Sequence, residues 1–470
     1  MAKRLLFDIS TSMRWLGPPV GIVRVERELA KWAMCNKPNC RFVFFDPDLQ
    51  LYREVRRIHL PDILDGAATL DTTGMTDPSR SRRRRTDRVP RFLMTPFLWL
   101  TQFRRMALRT LGGKLLSSRS PKARDIIRLL QPIVAGQKYR DLLRRPDGGQ
   151  CALAPVHVLT SAPLPFEPGD VVLFAGSNWA HGNAAAVSEW KQKAGVELVA
   201  LCHDIIPLLF PQFFKPNDVA MLQRHFDQVF ATASLNLVAS KTVGRDIETY
   251  CAERGIATAL IKQIPFGFDL SADSHYSTGL EAPRPPSRYI LLVSTIEPRK
   301  GHALTQAVWS RLLQEGILQK LDVTLVLVGR PGWMVDDLMK TLAASQRIVI
   351  MDNISDDALA QLYDRADFCI YPSEYEGYGL PVVEALARGK AVLASDVGVV
   401  PELQSHLLKH LPPRDEQAWY AAIREWLVNP DSVPRRSDAA PDFRHPIWQD
   451  AAAQTFAVID GFTARGTPTR

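Results

Sequence analysis

One stretch constrains this 470-residue chain more than any other: Tyr371-Pro-Ser-Glu-Tyr-Glu-Gly-Tyr-Gly-Leu-Pro-Val-Val-Glu-Ala-Leu-Ala-Arg-Gly. It is entered by an apolar run, residues 368–371, that reads as a buried strand. Gly377 and Gly379 let the backbone approach a ligand with no Cβ in the way. A helix follows and tolerates Pro381 in its first turn. A strand, a glycine loop and a helix start present free N–H groups and the positive end of a helix dipole to an anion such as a phosphate. Glu376 and Glu384 stand eight residues apart. That spacing is about two helical turns, but Glu376 lies in the loop ahead of the helix. The two carboxylates are therefore expected to face different parts of one extended ligand.

The rest of the chain repeats this rhythm. Residues 5–10 read as a first buried strand, followed by the loop Gly17-Pro-Pro-Val-Gly21 and a helix carrying Ile22, Val25, Leu29 and Trp32 on one face. Arg24 and Arg27 lie early in that helix. Residues 41–46 are a second strand, which completes the opening unit of a doubly wound α/β domain. The alternation returns at residues 170–175 and at 197–202, where His203 and Asp204 stand directly at a strand's carboxyl end. Ligands bind at such ends in open α/β sheets. Residues 237–240 and 261–265 add strands, and residues 271–288, rich in Ser and Pro, read as a linker.

Residues 289–295 open a second α/β set. Their exit loop, Glu297-Pro-Arg299-Lys300-Gly301, puts two cations beside a glycine at a strand-to-helix turn, which suits a diphosphate. Strands are expected at 322–328 and 347–351, with Asp352, Asn353 and Ser355 capping the next helix. A strand at 391–395 precedes a loop, 396–402, expected to open a helix. Helices at 416–428 and 448–462 end the chain.

Composition narrows the class. Apolar residues make up 46%, ordinary for a soluble protein. No uncharged apolar stretch is long enough to span a membrane, and the N-terminal apolar run is too short for a signal peptide. The six cysteines (35, 40, 151, 202, 251, 369) lack metal-ligand spacing and read as mostly buried thiols of a reducing cytoplasm. The net charge of +8 is uneven: residues 79–128 hold fifteen Lys or Arg and two Asp, a local +13 that leaves −5 elsewhere. Aromatic residues among the arginines of 89–116 read as a contact for an anionic membrane surface, and not for nucleic acid.

Together these motifs resemble the family 4 retaining glycosyltransferases of the GT-B fold, known as glycosyl transferases group 1, and their bacterial mannosyl- and rhamnosyltransferases in particular. Glu376-Gly-Tyr-Gly-Leu-Pro-Val-Val-Glu384 looks like that family's E-x7-E motif, and Ser395-Asp396 and Pro401-Glu402 match the segment after it. Residues 296–301 resemble its phosphate loop, His203-Asp204 its sugar-side histidine, and Gly21-Ile-Val-Arg24 its glycine loop. Relatives often carry an Arg in a Gly-Arg-Leu sequence before the loop lysine. This chain has Ser294-Thr295-Ile296 there, with Arg299 as the substitute.

The resemblance implies two Rossmann-like domains facing a cleft: 1–270, with a basic insert at about 66–145, and 289–445, with residues 446–470 packing back toward the first. It implies transfer of a hexose, foremost mannose from GDP-mannose, to a lipid-linked or growing bacterial surface polysaccharide. The nucleoside diphosphate sugar is a substrate, and no cofactor or metal is called for. Arg299, Lys300 and the loop Gly377, Tyr378, Gly379 and Leu380 would take the diphosphate, with Gly21 nearby. Glu384 would take the ribose and Asn353 would lie by the base. Glu376 and His203 would be catalytic, and Asp8, Arg24 and Asp204 would lie on the acceptor side. The expected location is cytoplasmic, at the inner face of the cell membrane through residues 79–116. The rivals are a rhamnosyl or UDP-hexose transferase, a sugar-nucleotide epimerase of similar fold, and a membrane-associated assembly scaffold.

Overall fold

A computed structural model describes residues 3–16, 21–47, 49–71, 151–268, 285–352, 354–438, 443 and 445–464. The basic insert beyond residue 71, including residues 79–116 for which membrane contact was expected, Asn353 and most of the linker 271–288 lie outside the described residues. The chain divides into two compact units, Met1–Val196 and Glu197–Arg470.

The first unit contains β1 (Leu5–Asp8), β2 (Cys40–Asp46), β3 (Leu51–Val55), β4 (Ala68–Leu70), β5 (Ala152–Ala154), β6 (Thr160–Pro163) and β7 (Val171–Phe174). Its main strands pair in the order β7-β1-β2-β3-β6, with β1 parallel to both β7 and β2. Phe42, Val43, Phe44 and Phe45 of β2 are all buried, so both faces of this strand are covered, as parallel sheets require. The helix Ile22–Asn36 turns Val25, Leu29 and Ala33 inward at helical spacing. The β2–β3 hairpin and β6 add antiparallel strands that the sequence reading did not foresee.

The second unit begins with β8 (Glu197–Cys202), β9 (Leu235–Val238) and β10 (Leu260–Gln263), parallel in the order β10-β9-β8. It continues with β11 (Arg288–Val293), β12 (Val323–Val328), β13 (Ile348–Met351), β14 (Cys369–Tyr371), β15 (Val392–Ser395) and β16 (Leu408–Leu411). These six form one parallel sheet in the order β13-β12-β11-β14-β15-β16. Counted from β11, that is the doubly wound order 3-2-1-4-5-6, and its topological switch point falls between β11 and β14. Alternate residues of β11 feed opposite cores. Ile290 and Leu292 join Trp309, Trp419 and Trp426, while Tyr289 and Leu291 join Val382, Ala385 and Leu386.

One expectation needs correction, and one strand was missed. Residues 396–402 do not open an α-helix. A single 3-10 turn, Val400–Glu402, leads toward β16, which the sequence reading missed. The Glu402 carboxylate instead accepts from the N–H groups of Lys241 (3.0 Å) and Thr242 (2.7 Å), the first residues of the helix Lys241–Glu253. The cysteines are mostly buried, with Cys35 exposed and Cys151 half-buried, and all six are free.

The final helix, Trp448–Ala464, meets the segment after β10. Trp448 backbone lies 2.3 Å from where a Cβ on Gly267 would sit, so only glycine fits there. Among the described residues no helix is long and apolar enough to cross a membrane.

Candidate functional site

The site is assembled at the switch point of the six-stranded sheet. The loop leaving β11 carries Arg299 and Lys300 in a 3-10 turn, Pro298–Lys300. The loop leaving β14 carries Glu376. Gly301 ends the 3-10 turn at φ +72°, and the carbonyl oxygen of Pro372 lies 2.1 Å from where its Cβ would be. Glycine thus lets the two loops press together. A backbone hydrogen bond from Glu374 N to Arg299 O, 2.7 Å, completes the join.

The side chains then converge. Lys300 Nζ donates to Glu376 Oε1 at 2.6 Å, and Arg299 Nη1 donates to the same oxygen at 3.0 Å. Arg299 Nη1 also reaches Tyr375 O at 3.0 Å, and Lys300 Nζ lies 3.3 Å from the Tyr371 hydroxyl. Burial alone would raise the pKa of Glu376, but Lys300 and Arg299 outweigh it and bring it down to about 2. Burial and the neighbouring Arg299 lower the Lys300 ammonium against the pull of Glu376. Glu376 is an anion held by two cations, each almost wholly out of water.

Past Glu376, the loop turns at Gly379, φ +75°, which caps the helix Leu380–Ala387 with Pro381 in its first turn. Leu380 is the first residue of that helix. Glu384 lies inside it, is buried, and accepts from the Tyr363 hydroxyl at 2.8 Å through Oε2. The two glutamates thus have separate environments, one ionic and one phenolic. Tyr378 turns its hydroxyl to His445 Nε2 at 2.6 Å and its ring to Phe266 at 4.8 Å. Any part it takes in holding an anion falls to its backbone.

His203 and Asp204 follow β8 and meet this loop closely. A Cβ on Gly377 would lie 2.6 Å from His203 O and 2.8 Å from Asp204 Cβ. Ser240 Oγ donates to Gly377 O at 2.9 Å, and the Tyr375 hydroxyl donates to Asp246 at 2.7 Å. The His203 ring lies 5.7 Å from Phe266. Asp204 Oδ1 accepts from Ile206 N at 3.1 Å, so this carboxylate also shapes its own turn. Arg299, Lys300 and Glu376 thus form one ion cluster, and the next residue, Gly377, packs on the backbone after β8.

Asp8, Gly21 and Arg24 belong to the first unit. Asp8 is fully buried at the end of β1 and accepts from Tyr52, Asn183, Asn178 and Ser10 N. Burial raises its pKa against those donors. This carboxylate anchors β1 to its neighbours. Gly21 precedes the helix Ile22–Asn36 at φ +49°, and Arg24 is half-buried in that helix's first turn.

Several participants were not singled out from sequence. Tyr371 and Tyr375 stood inside the quoted stretch, but nothing in their spacing marked them as partners of Lys300 and Asp246. Tyr363 carried no signal, because its contact with Glu384 spans two helices. Glu297 had one, its place beside the two cations.

Residues 281–442 match the family of glycosyl transferases group 1. The serotype-specific mannosyltransferase WbdA of Escherichia coli is 30% identical over 268 residues, which is 50% of this chain and 30% of that protein. The O-antigen chain mannosyltransferase B of Escherichia coli is 28% identical over 282 residues, 55% of this chain and 68% of that one. The MMP alpha-(1->4)-mannosyltransferase of Mycolicibacterium hassiacum is 30% identical over 184 residues, 38% of this chain and 44% of that one. The chain thus spans under a third of the length of WbdA and under half that of the mycobacterial enzyme. Among solved structures, sucrose-phosphate synthase from Thermosynechococcus elongatus reaches a TM-score of 0.47 at 20% identity, over 63% of this chain and 74% of that one. The fold assignment rests on the strand order.

Proposed function

We propose that this chain, whose residues 281–442 belong to the glycosyl transferases group 1 family, moves a hexose from a nucleoside diphosphate sugar to a hydroxyl of a growing bacterial surface polysaccharide. Mannose from GDP-mannose is the leading donor, because the relatives reported above are named as mannosyltransferases. The observation that carries the reading is the buried pair Arg299 and Lys300, facing Glu376 at the switch point of a parallel sheet.

The physical task is to stabilise a departing diphosphate and a sugar carrying positive charge at its anomeric carbon. Arg299 and Lys300 bring two positive charges to one turn, and the N-terminus of the helix Leu380–Ala387 adds its dipole. Those charges act in a site with little water, where they count for more than in bulk solvent. They supply the neutralisation for which other transferases use a divalent ion, so transfer is expected to proceed with chelator present. Glu376 is kept ionised at any physiological pH and would face the developing charge. His203, whose backbone carbonyl packs on Gly377, would bond a sugar hydroxyl. Glu384 would accept from the ribose hydroxyls, sharing its carboxylate with Tyr363. The new bond would form with retention at the anomeric carbon.

The test is transfer from a panel of GDP-mannose, UDP-glucose and a rhamnosyl nucleotide to a lipid-linked glycan, in chelator, with NMR of the product linkage. Transfer from GDP-mannose with an α linkage is expected. Consumption of donor with release of an epimer, and no need of acceptor, would overturn the reading. The +13 balance of residues 79–128 supports attachment to an anionic membrane surface where such acceptors lie. Equal sedimentation with anionic vesicles of the full chain and of a chain lacking 79–116 would refute that part.

A further inference from the structure

Glu297 is a second buried carboxylate at the cationic turn, only 6% exposed. Its Oε2 lies 3.5 Å from Arg299 Nε, close enough for an ion pair. Yet neither atom has a hydrogen-bond partner. Buried donors and acceptors are rarely left in this state, and each asks for an explanation.

The surroundings fix the carboxylate. Gly332, in the loop after β12, presses on it: a Cβ there would lie 2.8 Å from Glu297 Cγ. The same loop pairs with the Glu297 segment through Ile296 and Pro331, and Lys300 N donates to Glu297 O at 3.1 Å. Glu297 therefore cannot swing away from Arg299. The guanidinium is the movable partner. It offers five N–H donors in a flat fork, and its two edges can serve different acceptors. Here the Nη1 end serves Glu376 and Tyr375 O, while the Nε edge faces Glu297 across a slack gap.

Resting on the donor reading above, we infer that Glu297 is a positioning residue of the diphosphate clamp. It is the standing counter-ion for the Nε edge of Arg299, so that the Nη edge can pass from Glu376 to the donor's diphosphate. The orphaned atoms are then a hydrogen bond waiting to close. When a diphosphate draws on the Nη groups, the guanidinium rotates off Glu376, and Nε–H settles on Glu297 Oε2. A carboxylate that lay there only as a neighbouring negative charge would act in the opposite sense and weaken anion binding.

The experiment is calorimetric titration of the full chain with pyrophosphate, for wild type, Glu297→Gln, Arg299→Lys and the double variant. Lysine keeps the charge at 299 but has no Nε edge. Closing one charge-assisted hydrogen bond predicts that Glu297→Gln weakens pyrophosphate binding roughly tenfold in the wild-type background. In the Arg299→Lys background the same change should leave binding unaltered or tighten it. Tighter binding in both backgrounds, or equal weakening in both, overturns the inference. Absence of pyrophosphate binding by the wild type overturns the clamp itself and the donor reading with it, so the two failures are distinct. Should Glu297→Gln not fold by circular dichroism, Glu297→Asp carries the test, since it keeps the charge but draws it back by one methylene. Weakening is then expected with Arg299 and not with Lys at that position.

Discussion

Lys300 Nζ stands 2.6 Å from Glu376 Oε1, and Arg299 Nη1 reaches the same oxygen at 3.0 Å. A diphosphate can bind these cations only by competing with a carboxylate already in place. Glu376→Gln removes that competitor and keeps the shape. GDP should then bind roughly tenfold more tightly. If Glu376 faces the anomeric centre as proposed, turnover should fall by about 10²–10³. Calorimetry with GDP and steady-state rates measured together check this opposition. A parallel fall in both would rule it out.

The same geometry makes the cluster fragile. Lys300→Ala leaves Glu376 buried with only Arg299 for company, and should lower stability by about 3–5 kcal/mol. The double variant Lys300→Met, Glu376→Gln removes the charges as a pair and should regain most of that loss. Urea unfolding midpoints of the three proteins test the coupling.

Two buried glutamates impose opposite pH dependences. Glu376 falls from 4.5 to about 2 in the folded chain, because Lys300 and Arg299 overcome its burial. Its contribution, about 3 kcal/mol, is present above pH 4.5 and lost as pH falls toward about 2. Glu26, in the first unit, is fully buried and moves from 4.5 to about 7. Burial outweighs the donors Ser12 N (2.7 Å) and Ser12 Oγ (2.5 Å) on its Oε1. Its contribution is present below pH 4.5 and is lost as pH rises through about 7. Glu26→Gln keeps the acceptor on Oε1 and removes the ionisation. It should raise the melting temperature at pH 8 and leave it nearly unchanged at pH 5.

Much of this was legible in sequence, for a physical reason. Parallel strands buried on both faces are written as apolar runs, and β11, β12 and β15 were read from such runs. Gly377 and Gly301 marked the loops because only glycine tolerates their close approaches, and Gly379 because its φ is +75°. What was not legible depended on pairing across distance. The hairpin strand β3 alternates weakly. β16, with Lys409 and His410 on an edge, looked like loop. The helix expected after the loop 396–402 is absent, and Glu402 there caps a helix some 160 residues earlier. Likewise the sequence put two cations and a carboxylate in separate motifs. Only the neighbouring positions of β11 and β14 in the sheet showed that they neutralise one another.

Gly377 offers a test of the join with His203. A Cβ there would meet His203 O at 2.6 Å and Asp204 Cβ at 2.8 Å, both closer than van der Waals contact allows. Gly377→Ala must push the β8 exit from the β14 loop, at a cost of about 1–3 kcal/mol. A displacement of that kind at a reacting centre can lower turnover about 10²-fold. Pyrophosphate binding, which depends on Arg299 and Lys300, should change by less than about threefold. Loss of both would mean that the whole loop had collapsed.

Glu384 and Tyr363 give the last prediction. The Tyr363 hydroxyl donates to Glu384 Oε2 at 2.8 Å, and both side chains are buried in the second core of the six-stranded sheet. The phenol therefore helps to orient the Glu384 carboxylate. Tyr363→Phe removes the donor and leaves the ring. The carboxylate loses one partner at a cost of about 1–3 kcal/mol in stability and is free to rotate. If Glu384 holds the ribose, the variant should raise the KM for GDP-mannose roughly tenfold and leave kcat within about twofold, since that contact is made equally in ground and transition states. Pyrophosphate, which has no ribose, should bind as it does to the wild type. A loss of pyrophosphate affinity equal to the loss for GDP would place Glu384 at the phosphates instead.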